Sequence, residues 1–441
     1  MLSINPVFFI YVLVLFNLIP VNFEQIHPLA DVRNLCYLIL IMISISNFGQ
    51  NRVRIIKNIT ELFLILLAYL VFEFLLLFFT KGNSFVFQRL WGILLMYFIV
   101  KYVKTLKSLN NLFYFILIVI SFSAIYGILI GVYGEPFISI RKVLIGIDYL
   151  GVEDKIIDRN SHRVMGLSTS IFAFSYQLAL LLSGTFLLFV SRVYSNKKKQ
   201  LIVFGMLLIA LWSVFLNAER SIILAFIVGT SFFYFLSLAN KHTKKKLRVY
   251  LIFTVVAVLI VQIYYVVDYS KNIAGEGNII ERLLDKGSRN DDYGDARMFQ
   301  QIAGIETLLY SPFGDIIDDY QRIAKSYPEI TRHYTFGVIP APHNHLIYTA
   351  LSVGWVGFFL IILFFYYVHK LTRNKLKNII GLKYSKNFTL FIIVISCNIA
   401  VFINSLTHNT GFFGSEVVSI LLLGILLAYI NISKNNYIYE N

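Results

Sequence analysis

Cysteine is nearly missing from these 441 residues, and the two present, Cys36 and Cys397, both sit inside apolar runs. They read as small core residues, which excludes a disulfide framework and a cysteine-based metal site. Charge is scarce too: 14% of residues are Asp, Glu, Lys or Arg, where a soluble domain carries about 25%. Acid is scarcer than base, 24 residues against 39, for a net charge of +15. The sequence has no tandem repeat and no low-complexity tract. It also lacks a glycine-rich phosphate loop, a Ser-His-Asp order and any metal-ligand spacing. These absences argue against a repeat protein, a nucleotide-phosphate enzyme of the P-loop kind, a serine hydrolase and a metalloenzyme.

What the chain has in abundance is apolar surface. Hydrophobic residues make up 58%, mean hydropathy is +0.72, and there are 40 Phe and 28 Tyr. One soluble core cannot hide this excess, so the expected fold class is all-α: a polytopic helical membrane protein. A span needs about 20 mostly apolar residues. Twelve stretches qualify: 6–21, 34–48, 62–80, 85–100, 112–133, 164–190, 201–216, 221–239, 249–267, 346–368, 388–406 and 417–432. Arg89 must then lie at the end of the fourth. Met1–Asn5 lacks a basic region and a small-residue cleavage site, so the first run is expected to be a retained span. The chain divides into N-terminal spans (1–133), central spans with an outer segment at 134–163 (134–267), one large outer loop (268–342) and C-terminal spans (343–441).

Basic residues choose the orientation. Segments 48–59, 101–111, 191–200, 240–248, 369–387 and the C-terminus hold 22 of the 39, and 21 of the 24 acids lie on the opposite side. Both termini are therefore expected in the cytoplasm. The +15 is mostly a topology signal and not the footprint of a nucleic-acid partner. The outer loop 268–342 is too long for a connector, and such loops carry function. Within it, Met298, Phe299, Ile302, Ile305 and Leu309 predict an amphipathic helix over 295–310 that lies on the membrane surface. Asp295 is placed to cap it, and Ser311-Pro312-Phe313-Gly314 ends it.

Four outer places hold basic residues that the topology rule does not require. Arg163, beside His162, is expected at the start of the sixth span, where helix N–H groups and a guanidinium both favour an anion. Arg220 sits in a hairpin of about four residues, and a charge so near two apolar runs calls for a partner; Glu219 beside it is one candidate. Arg297 falls in the first turn of the amphipathic helix. His343-Asn344-His345 follows two prolines at the entry to the tenth span, and an imidazole there can hold or deprotonate a hydroxyl. His343 and His345 are two residues apart, so they do not share a helix face as zinc ligands prefer. The bland alternatives are interfacial or solvated side chains at all four places. Glu73, inside the third span, is either functional or paired in the packing. Gln177, Asn404, His408 and Glu416 pose weaker versions of that question.

Together these places resemble the O-antigen polymerase and O-antigen ligase superfamily of bacterial membrane glycosyltransferases. His343-Asn344 followed by Gly354-Trp355-Val356-Gly357 is similar to the family's His-Asn…Gly-x-x-Gly signature. Arg297-Met298-Phe299 with Ser311-Pro312-Phe313-Gly314 resembles its Arg…Pro-hydrophobic-Gly stretch. Arg163-Val164-Met165-Gly166 resembles its Arg-x-x-Gly entry, and Arg220-Ser221 its Ser-Arg hairpin. The likeness covers residues 160–360 in order. It departs from the family at Leu167-Ser168-Thr169, where Asn and Pro often follow, and at Glu219, where a small residue usually precedes the arginine.

The resemblance implies a GT-C-like architecture in the bacterial inner membrane and metal-independent, cofactor-free glycosyl transfer at the periplasmic face. The donor would be an undecaprenyl-diphosphate-linked oligosaccharide. Arg163, Arg220 and Arg297 would hold the diphosphate, His343 and Arg220 would be catalytic, and Asn344 and His345 would be acceptor-binding. Partners would be membrane lipid, a chain-length regulator and a flippase of the same pathway. Polymerisation of O-antigen or capsular repeat units is the first reading, ligation to lipid A core the second. A transporter is the distant third, because it would predict an internal repeat and mid-span charges.

Overall fold

The computed structural model describes residues 5–21, 32–46, 55, 57–79, 85–134, 136–145, 164–194, 196–217, 219–237, 304–305, 308–309, 344–379, 385–408, 411–414 and 416–432. Among them there are twelve α-helices and no strands. They are α1 (Pro6–Leu18), α2 (Val32–Ser46), α3 (Lys57–Phe79), α4 (Phe85–Tyr102), α5 (Leu106–Tyr133), α6 (Phe137–Ile145), α7 (Ile171–Ser191), α8 (Lys197–Asn217), α9 (Arg220–Ser237), α10 (His345–Ile379), α11 (Lys386–Ser405) and α12 (Val417–Asn431). Six are long and apolar enough to cross a membrane, and four shorter apolar helices accompany them. The chain is a polytopic helical membrane protein. The expected span 249–267 and nearly all of the loop 268–342 lie outside the described residues; residues 304–305 and 308–309, inside the expected amphipathic helix, are helical.

Apolar residues on the bundle's outside identify its solvent. On α2, Leu35, Leu38, Met42 and Ile45 are exposed at spacings of three and four, while Cys36, Tyr37 and Leu40 face inward. On α3, Leu64, Leu67, Val71 and Leu75 repeat the pattern. Such stripes fit lipid, because every backbone polar group is already bonded within the helix. Inside, α7, α11 and α12 form the centre. Helix α7 packs against α8, α9 and α11, and α12 packs against α4 and α11. Helices α9 and α11 approach closely at Gly229, where a Cβ would stand 2.9 Å from the Ser396 carbonyl. Cys36 and Cys397 are both buried free thiols.

Hydrogen bonds between distant segments show which helix ends share a side of the bundle. Near the start of α7, Gln177 Nε2 donates to Leu18 O at the end of α1, at 2.8 Å. At the opposite end of the bundle, Ser44 of α2 bonds Tyr102 of α4 at 2.7 Å. There too Asn110, at the start of α5, bonds Asn387 of α11 at 3.2 Å and receives the Tyr429 hydroxyl of α12.

Two boundaries differ most from expectation. Helix α10 does not stop at 368 but runs to Ile379. Its last turns contain no glycine or proline, and Val368, Leu371, Thr372, Lys375 and Ile379 stay buried at helical spacing. The charges that look like loop residues ride the exposed side of a continuing helix. Lys375 itself turns inward: its Nζ donates to Ile430 O at 3.3 Å and to Ile432 O, capping the last carbonyls of α12. Replacing Lys375 with Met should therefore lower stability by about 1–3 kcal/mol through the orphaned carbonyls. Thermal melting in detergent checks this, and an unchanged midpoint would exclude the capping role. The second difference, at the start of α7, belongs to the site.

Candidate functional site

One end of the bundle gathers the polar motifs. Helices α7, α9, α10 and α12 begin there, and α1, α5, α8 and α11 finish there. The turn at 164–170 comes first. The expected span began at 164 and put Arg163 at a helix start, but α7 begins only at Ile171, capped by Ser170, whose Oγ accepts from Ala173 N at 3.1 Å. The preceding residues form an irregular turn because Gly166 adopts φ +53° and three other elements hold it. Ser123 Oγ of α5 accepts from Leu167 N at 2.9 Å. Asn217 Nδ2, at the end of α8, donates to Val164 O at 2.9 Å. Arg141 of α6 is fully buried; its Nε donates to Gly166 O at 2.9 Å and its Nη2 to Ser168 O at 2.5 Å. Arg141 counts as a loop charge in the sequence, yet here it is a clamp.

The hairpin between α8 and α9 is as short as expected. Asn217 ends α8 and Arg220 is the first residue of α9. The Ile222 N–H donates to Glu219 O at 3.3 Å. Ser221 Oγ lies 3.2 Å from His408 Nε2, and Ser175 Oγ of α7 lies 3.3 Å from the same nitrogen. Asn404 Nδ2 donates to Ser175 Oγ at 3.1 Å, and that hydroxyl donates to Phe172 O at 2.8 Å. His408 is 2% exposed, with the Phe172 and Tyr176 rings against it at 5.2 and 5.7 Å. One imidazole therefore joins the starts of α7 and α9 to the turn after α11.

The same turn meets the entry to α10. Asn344 caps that helix, its Oδ1 accepting from Leu346 N at 3.1 Å and Ile347 N at 3.3 Å. His345 is 1% exposed, and its Nε2 accepts from Phe413 N at 3.3 Å. A nitrogen that accepts carries no proton, so the hydrogen sits on Nδ1, 3.2 Å from Thr349 Oγ1. Gly411 passes over the ring, and a Cβ there would stand 2.4 Å from it. The Phe413 carbonyl accepts from Arg89 Nε, and Arg89 is ion-paired with Glu73; both charges are buried. Glu416 caps α12 through Val418 N and Ser419 N. Burial pushes its carboxyl up to about 7, against the pull of those two N–H groups.

Within α10, Gly354 takes φ +65°, ψ −169° and kinks the helix. The kink brings Val353 over Gly357, where a Cβ would come 2.3 Å from the valine side chain. The two glycines of the Gly-x-x-Gly pattern thus serve one bend: the first makes it, and the second leaves room for it.

Arg163, Arg297 and His343 lie outside the described residues. Arg220 is described by its backbone alone. Asn344 and His345 are described, and both bond within the protein: Asn344 caps α10 and His345 accepts from Phe413 N. What the fold brings together are the chain neighbours of three motifs: Val164 against Asn217, Ser221 against His408, and His345 against Phe413. Sequence reasoning gave His408 and Asn404 little weight and missed Arg141 and Ser175. A short outer loop with no basic residue was the one available signal for His408. Among the described residues no group of three His, Cys, Asp or Glu could hold a metal ion.

Residues 204–362 match the family described as O-Antigen ligase. Over this segment the chain is similar to that family, which supports the O-antigen ligase and polymerase superfamily. The O-antigen ligase segment runs from within α8 to within α10. It contains Arg220, Arg297, His343 and the Gly354–Gly357 bend. Arg163, Arg141 and the His408 turn fall outside it. No curated protein matches the chain.

Proposed function

We propose that this protein is a glycosyltransferase that joins undecaprenyl-diphosphate-linked repeat units into O-antigen or capsular polysaccharide at the periplasmic face of the bacterial inner membrane. The acceptor hydroxyl attacks the anomeric carbon of the donor sugar and its proton passes to His343. The sugar–phosphate C–O bond breaks, and the diphosphate leaves with the electron pair. Arg163, Arg220 and Arg297 stabilise the charge growing on it, the work that preorganised cations do in a water-poor site. Asn344 lies on the acceptor side, and His345, buried with its ring bonded to Phe413 N and Thr349, supports it from behind. Attack from the face opposite the diphosphate inverts the anomeric centre. A flippase supplies the donor and a chain-length regulator limits the product.

The observation that carries this reading is the 2.9 Å bond from Asn217 Nδ2 to Val164 O. It ties the residue after Arg163 to the residue three before Arg220, 53 positions apart. Val164 and Asn217, which flank two arginine motifs remote in sequence, thus meet at the bundle end where α10 begins. This supports the reading, because a lipid diphosphate carrying roughly two to three charges needs several cations at one place. Ligation of the finished glycan to lipid A core is the second reading, and the description of the matched family favours it.

The test is purified protein in vesicles with a defined undecaprenyl-diphosphate oligosaccharide and no added metal, scored for elongation. Arg163→Ala, Arg220→Ala, Arg297→Ala and His343→Ala should each abolish long chains while insertion persists; normal ladders in all four would overturn the assignment. Arg220→Lys should lower elongation about tenfold or more, because an ammonium cannot make the forked contact. In cells, loss of a polymerase leaves one repeat unit on the core, and loss of a ligase leaves bare core.

A further inference from the structure

The diphosphate reading assigns a task to Arg220 but not to residues 406–408 and 411–414, which touch the starts of α9 and α10 respectively. We infer that His408 is a positioning residue for Arg220, acting through Ser221. This rests on the reading that Arg220 holds the diphosphate.

Ser221 is the second residue of α9, so its hydroxyl is fixed relative to the Arg220 backbone by the first helical turn. His408 Nε2 lies 3.2 Å from that hydroxyl and 3.3 Å from Ser175 Oγ. Ser175 is itself held, receiving Asn404 Nδ2 and donating to Phe172 O. The imidazole plane is held by the Phe172 and Tyr176 rings. Ser221, Ser175 and Asn404 are all buried. A buried polar group is costly unless bonded, so this network has few alternative arrangements. Helix starts fray when nothing fixes them. Here α9 begins immediately after a two-residue hairpin, at the residue that must aim a guanidinium. His408 is too buried to touch substrate, so its effect passes through the position of α9. It also lies 46 residues beyond the end of the O-antigen ligase segment at residue 362. It is thus a support that this chain supplies from outside the matched region.

The experiment measures binding of undecaprenyl diphosphate, the leaving product, to the purified full-length protein in detergent. It is run on wild type, His408→Ala, Ser221→Ala, His408→Gln, Arg220→Ala and the His408→Ala/Arg220→Ala pair. Glutamine's terminal amide reaches as far as Nε2, so His408→Gln should keep the Ser221 bond. His408→Ala and Ser221→Ala should each weaken binding about tenfold, and His408→Gln should recover most of it. In the Arg220→Ala background, His408→Ala should cause no further loss, because the residue it positions is gone. A further tenfold loss there would make His408 a general structural residue and overturn the inference. So would wild-type binding by Ser221→Ala, the gentler variant that answers if His408→Ala fails to fold. If Arg220→Ala itself binds like wild type, the diphosphate reading fails instead, and the two failures are distinct.

Discussion

Arg89→Leu is expected to destabilise the protein by about 3–5 kcal/mol, and Glu73→Leu/Arg89→Leu together by much less. Glu73 sits in α3 and Arg89 in α4, each 8% exposed. Their ion pair joins the two helices, and Arg89 also donates to the Phe413 carbonyl. Removing the arginine strands a carboxylate in an apolar bundle, where an uncompensated charge is expensive. Removing both charges leaves an apolar contact and one unsatisfied carbonyl. The ordering of the three melting midpoints in detergent is the check: wild type, then the double variant, then either single variant. A double variant whose loss equals the sum of the two single losses would show that neither charge depends on the other. The effect should also reach the site. Phe413 donates its N–H to His345, so Arg89→Leu should loosen the entry to α10 and reduce elongation even where protein remains folded. Glu73 reads in the sequence as either functional or paired. The ion pair answers in favour of packing.

The spans were legible because each needs only a run of apolar residues, and lipid removes the competing alternatives to a helix. The α8–α9 hairpin and the entry to α10 were legible for a related reason: they are the short polar interruptions of those runs. Helix ends were less so. The sequence stops α10 where its hydropathy falls, whereas the helix continues because Leu371, Lys375 and Ile379 still find neighbours. The site's supports were legible least of all. Arg141 looks like any loop arginine until α6 carries it to the carbonyls of Gly166 and Ser168. His408 meets Ser221 across 187 residues and Ser175 across 233. Periodicity has no term for such contacts, because they depend on which helix lies beside which. The motif residues themselves stood out through cost: a charge or imidazole beside apolar runs needs a reason. Their holders did not, because serine, asparagine and glycine cost little in any loop.

Gly166→Ala should abolish elongation, while Gly134→Ala should leave most of it. Both glycines have positive φ, +53° and +64°. A positive φ strains alanine at both, by about 1–3 kcal/mol, and Gly134, at ψ −119°, lies outside even the left-handed helical region, so backbone strain alone predicts a loss at Gly134 at least as large. Their surroundings separate them. A Cβ at Gly134 meets nothing within 4 Å. One at Gly166 would lie 2.5 Å from Ser123 O and 2.7 Å from both Ser123 Oγ and the Phe174 ring. The Ser123 carbonyl is part of α5 and cannot retreat as a flexible side-chain tip does. The turn must move instead, and it is the turn that Arg141, Ser123 and Asn217 all hold. Moving it far enough to clear that carbonyl stretches or breaks the bond from Asn217 to Val164, and with it the tie between the residues that flank Arg163 and Arg220. The measurement is elongation per inserted molecule for the two variants, side by side with their melting midpoints. Equal losses would assign the effect to backbone strain and remove crowding from the account. A selective loss at Gly166 would mean that the turn's position, held from three helices at once, is what the proposed diphosphate site requires.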